Sequence, residues 1–119
     1  MIAWPEIVAR LKPGDRLRPL VGASQLTVDS IDDEQICIRQ RLWRACLTPA
    51  DIETANRILA DAPAGVSGVR FSELLRAHYT SGSDVTTECT RIPNLAAVVF
   101  LNLGAVSRAA APRESGPGA

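Results

Sequence analysis

Between Gly14 and Leu47 apolar and polar residues alternate with a period of two, and turn-forming residues interrupt the alternation every several positions. This pattern predicts a small antiparallel β-meander, because successive side chains of a strand point to opposite faces. On that parity Leu17, Pro19 and Val21 share one face, leaving Arg16, Arg18 and Leu20 on the other. Leu26 and Val28 point inward, and Thr27, Asp29 and Ile31 outward. Ile36 and Ile38 follow inward, with Cys37, Arg39 and Arg41 outward. In the last run Trp43, Ala45 and Leu47 fit the interior, and Leu42, Arg44 and Cys46 the exterior. Gly22-Ala23-Ser24 and Asp32-Asp33-Glu34 supply two turns. The third connection, around Gln40 to Leu42, has no Gly, Asn or Pro, so the pattern fixes the fourth strand's register least. Pro19 has no amide to donate and belongs at a sheet edge. An open sheet and an SH3-like half-barrel both satisfy this parity.

Outside the meander the period changes to that of a helix. Trp4, Ile7, Val8 and Leu11 recur at i, i+3, i+4 and i+7, Pro5 suits a first turn, and Pro13-Gly14 stops the run. Thr48-Pro49-Ala50-Asp51 is a helix start, with a capping hydroxyl, a first-turn proline and an acid at the positive end of the helix dipole. Ile52, Ala55, Ile58 and Leu59 line its inner side until the break from Ala62 to Gly65. Phe71, Leu74, Leu75 and His78 mark another helix over 69–79. Residues 84–91 suit a helix by the spacing of Val85, Cys89 and Ile92, and an extended chain by their threonines. Pro93 then opens a last helix that ends at Gly104. Its stretch from Leu95 to Leu101 is wholly apolar, which calls for burial on most sides or a contact with another subunit. The tail, 105–119, is rich in Ala, Pro, Gly and Ser without periodicity and is expected to be disordered.

The fold class is therefore α+β. An N-terminal helix (1–13), a meander (14–47) and three to four helices (48–104) form one globular domain. At 119 residues the chain can bury such a core unaided. Thirteen basic and thirteen acidic residues cancel, which argues against a polyanion binder driven by overall charge. Three cysteines without a CxxC spacing suggest reduced thiols and a cytoplasmic protein. No basic stretch followed by an apolar run marks a secretory signal, and the longest apolar run falls well short of the ~20 residues that span a bilayer.

Candidate chemistry is sparse. One histidine, His78, excludes HExxH and paired-histidine metal sites, and neither GxSxG nor a phosphate-binding glycine loop occurs. Gly65-Val66-Ser67-Gly68 resembles half of such a loop but follows no strand. His78 with Cys89 could form a base and nucleophile pair, although a third group is missing and a structural histidine on an apolar helical face is the simpler reading. Asp29, Asp32, Asp33 and Glu34 lack the glycine and oxygen spacing of a calcium loop and read as a solvated turn. Neither a metal nor a cofactor is expected.

Two surfaces remain. Arg16, Arg18, Arg39, Arg41 and Arg44 fall on the outward side of the meander, where their planar forks match phosphate or carboxylate. The plainer alternative is a solvated face already neutralised by Asp29 and its neighbours. Leu95, Val98, Val99 and Asn102 line the last helix as a candidate protein contact. The helices over 51–60 and 69–79 outline a helix-turn-helix, but Arg70 and Arg76 alone make a poor recognition helix. The function expected is a non-enzymatic interaction module, a protein–protein adaptor or assembly subunit that binds a partner or itself. The alternative is nucleic-acid association through the arginine face.

Overall fold

In the computed structural model, which describes residues 1–81 and 88–108, the alternating stretch forms a four-stranded antiparallel sheet preceded by one helix and followed by three. The elements are α1 (Trp4–Arg10), β1 (Arg16–Leu17), β2 (Leu26–Ile31), β3 (Ile36–Gln40), β4 (Trp43–Leu47), α2 (Pro49–Asp61), α3 (Gly68–Tyr79) and α4 (Glu88–Asn102). The strands pair in sequence order, so β1 and β4 are the two edges. Leu17, Leu26, Val28, Ile36, Ile38 and Leu47 are buried on the inner face, and half-buried Trp43 packs against them. The helices close over this face.

Two departures from strict parity have identifiable causes. Val28 pairs with Ile38 but Ser30 pairs with Cys37, so Asp29 is the extra residue of a β-bulge. The alternation shifts by one beyond it. Ile31, expected outward, lies opposite Ile36 and packs against the core, while Ser30 takes the outer side. In β1 the ladder ends at Leu17, two residues before Pro19, and the chain then turns. Leu20 is consequently buried and Val21 exposed, the reverse of an unbroken alternation.

The third connection is a two-residue turn, Arg41-Leu42, between the paired Gln40 and Trp43. Among the described residues only glycines adopt positive φ, so this turn stays in backbone conformations open to any residue. That accounts for its lack of a turn signature. The resulting register sets Cys37 directly opposite Cys46, with Cα atoms 4.0 Å apart, and the two sulfurs are bonded. The expectation of reduced thiols fails for this pair. The side chain of Cys89 lies outside the described residues.

Thr48 caps α2 as expected: its hydroxyl accepts from the Asp51 amide, and the Asp51 carboxylate accepts from the Thr48 amide at 2.9 Å. Ser67 caps α3 through the Arg70 amide. A Cβ on Gly68 would meet Leu20 Cδ2 at 2.9 Å and push that side chain aside, and the Gly68 amide donates to the Ser107 carbonyl at 2.7 Å. The stretch that resembled half of a phosphate loop is thus a packed helix start. Pro93 sits inside α4 instead of opening it, so the helical reading holds for 88–91, and residues 84–87 lie outside the described part.

Packing does not stop at Gly104. Val106 is buried, Ser107 bridges to Ser67, and Arg108 donates to the Gly22 carbonyl at 3.1 Å. The remainder of the expected tail, 109–119, lies outside the described residues.

Two asparagines act as single rungs of a β-ladder. The Asn102 side chain accepts from the Arg18 amide at 2.9 Å, donates to the Arg18 carbonyl at 3.0 Å, and also donates to the Val98 carbonyl at 2.8 Å. Asn56 engages both backbone groups of Ile2, at 2.9 and 2.7 Å. Each amide satisfies both backbone groups of a residue that lies outside the helices and strands.

Candidate interaction surface

Antiparallel pairing brings Arg16, Thr27, Arg39 and Arg44 into one row across all four strands on the outer face. Arg39 and Arg44 stand directly opposite each other, an arrangement of like charges that is unfavourable by itself. Asp29 offsets it. Its carboxylate lies 2.7 Å from Arg44 Nε and 3.7 Å from Arg39 Nε, and Arg44 also donates to Ser30 Oγ at 3.4 Å. The bulge makes this possible by turning both Asp29 and Ser30 toward the arginines. These pairs are solvated, with Arg39 62% and Asp29 33% exposed, so each contributes roughly 0 to 1 kcal/mol.

The other two arginines of the expected face sit elsewhere. Arg18 lies beyond the end of β1, its backbone clamped by Asn102, and Arg41 belongs to the β3–β4 turn. Neither has an ion-pair partner among the described residues, nor does Arg16.

At the turn end of the sheet the row opens into a groove of about 770 Å³, with Ser24, Gln25 and Thr27 on one side and residues 39–43 on the other. Thr27 and Arg39 belong to both row and groove. Among the described residues no carboxylate lines it, and Leu42 at the hairpin tip is 85% exposed. Trp43 lies on the inner side by register, yet at the hairpin end it still borders the groove, while the Arg91 guanidinium from α4 stacks 4.9 Å from its ring centre. Sequence parity assigned Trp43 to the interior but could not show that the sheet's end leaves it half covered.

The candidate protein contact on α4 has a different location. Leu95, Val98 and Val99 are 0% exposed inside this chain, so burial, the first of the two expectations, is what the helix uses. Asn102 serves the β1 edge as described above.

The remaining candidates do not assemble. His78 is exposed and meets the Tyr79 ring edge-on; it lies in neither of the described hollows. Tyr79 donates to the Asp51 carboxylate at 2.7 Å, and burial together with that carboxylate holds its phenol well above the ordinary tyrosine range. It is a tie between α3 and the start of α2, unsuited to act as a base. Asp32 Oδ1 accepts from the Glu34 and Gln35 amides at 2.7 and 3.0 Å, which makes the acidic turn a self-satisfied one. Among the described residues no three His, Cys, Asp or Glu side chains gather as a metal site would require. On α3 Arg70 is engaged by Glu73 at 3.0 Å. A second hollow of about 390 Å³ between the α2–α3 loop and residues 104–107 is lined, among the described residues, without a charged side chain.

No protein-family model matches this chain, and neither does any curated protein or solved structure. Among the described residues no helix is long and apolar enough to cross a membrane.

Proposed function

We propose that this chain is a non-enzymatic protein–protein interaction module, an adaptor or assembly subunit, and that it meets its partner at the β3–β4 hairpin end. The carrying observation is an 85% exposed leucine beside a groove bordered by Arg39 and Arg41. The apolar surface at this end is Leu42 together with half-buried Trp43, which borders the same groove, and apolar surface rimmed by polar residues marks contact sites. A net charge of zero fits a protein partner better than a long polyanion.

Crosslinking from a photoreactive residue at Leu42 in an extract of the native cells tests this. A discrete protein adduct, missing when the same residue replaces exposed Glu53 on α2, supports the reading; equal adducts from both positions, or none, overturn it.

Nucleic-acid association is the second reading, favoured by the row Arg16, Arg39 and Arg44. Labelled nucleic acid that migrates unchanged with the unmutated protein at low salt removes it. A cytoplasmic setting is expected from cysteine number and spacing; the Cys37–Cys46 bond removes that support, since such bonds are rare in the reducing cytosol.

A further inference from the structure

The chemistry of the groove narrows the kind of partner, provided the interaction reading above holds. Among the described residues its cationic groups outnumber their counterions. Arg39 is shared loosely with Asp29, and among the described residues Arg41 has no ion-pair partner and no carboxylate lines the groove. The rest of the lining consists of hydroxyl and amide groups from Ser24, Gln25, Thr27 and Gln40, plus the apolar surfaces of Leu42 and Trp43. We infer that the groove takes an acidic peptide segment bearing an apolar side chain, contributed by a partner protein. Carboxylates of that segment meet Arg39 and Arg41, whose planar forks can bind each in a two-pronged manner. Its apolar side chain covers Leu42 and reaches the exposed part of Trp43.

Three observations favour a peptide over a phosphate backbone. The arginine row is interrupted by Thr27 and, at its β4 end, is already engaged by the Asp29 carboxylate, so it offers no continuous track for a run of phosphates. One site for base stacking is compromised because Arg91 occupies a face of the Trp43 ring. Leu42, the most prominent side chain of the tip, offers a phosphate nothing.

Fluorescence anisotropy on the full chain tests the inference with labelled peptides of about twelve residues that alternate Glu with Leu, Glu with Ser, or Lys with Leu, and with a labelled single-stranded oligonucleotide. The Glu/Leu peptide is expected to bind, the Glu/Ser peptide about tenfold more weakly, and the Lys/Leu peptide not at all. Arg41→Glu should weaken Glu/Leu binding by about tenfold or more, and Leu42→Ser by roughly fivefold. Both positions are exposed, and an unchanged thermal midpoint verifies that the variants remain folded. Oligonucleotide binding that responds to Arg41→Glu, with no binding of the Glu/Leu peptide, overturns the proposal. So does peptide binding that neither substitution alters. A Leu42 crosslink to a protein combined with failure of all acidic peptides refutes the acidic partner alone; loss of the crosslink as well refutes the interaction reading.

Discussion

Reducing the Cys37–Cys46 bond isolates one contribution to stability without changing the sequence. The bond closes a loop whose ends are 9 positions apart, spanning the Arg41-Leu42 turn. Restricting an unfolded loop of that size removes about 8.7 cal/mol/K of chain entropy, which corresponds to about 2.6 kcal/mol at 25 °C. For a domain of this size the loss lowers the melting temperature by on the order of 10 °C. The folded state offers little compensation, because Cys37 is fully buried and a released thiol there has no solvent to gain. Urea unfolding with and without a thiol reductant measures the difference, and alkylation of the denatured, unreduced chain counts the thiols. One reactive thiol is expected of the three cysteines, and the unfolding midpoint should fall on reduction. Three reactive thiols, or oxidised and reduced transitions within about 0.5 kcal/mol of each other, would refute the reasoning.

Other outcomes follow from the core and its ties. Val98→Ala should cost roughly 2 kcal/mol in urea unfolding at any protein concentration, because the side chain is buried within its own chain; a loss seen only as weakened self-association would contradict this. Asn102→Ala removes three hydrogen bonds and should cost roughly 1 to 3 kcal/mol, and hydrogen exchange at the Arg18 amide should accelerate. Tyr79 keeps its proton in the folded state to higher pH than in the unfolded state, so unfolding releases a proton once the pH exceeds about 10. Stability should be unaffected by this group below that pH and decline as the pH rises above it. Tyr79→Phe should flatten the decline, measured as urea midpoints at about pH 9 and about pH 11; an equal decline in both proteins excludes Tyr79 as its source.

What could be read from sequence was what local chemistry decides. The start of α2 was legible because Thr48, Pro49 and Asp51 act on backbone groups within one turn. The inner face of the meander was legible because a buried face leaves its trace at every second residue. The bulge at Asp29 was not, since it exists only in the pairing of β2 with β3, and it moved Ile31 and Ser30 to opposite faces from those parity assigns. The disulfide was hidden for a related reason. Cys37 and Cys46 are equidistant from a turn that carries no signature, and without its centre their pairing has no visible cause.

The same pairings explain why the candidate site lies where it does. A rung of two opposed arginines weakens a hairpin, yet here it adjoins the disulfide rung on the outer face and receives both Asp29 and Ser30 from the bulge. Covalent closure and a donated carboxylate let β3 and β4 hold Arg39 and Arg44 side by side, and the hairpin then carries Arg41 and Leu42 beyond the sheet on a two-residue turn. The buried face uses none of these four side chains, and Asp29 already offsets the repulsion between Arg39 and Arg44. On the reading proposed above, Arg41 and Leu42 stand at the tip for a partner to meet, and a photoreactive residue at Leu42 that captures no protein would leave them without that explanation.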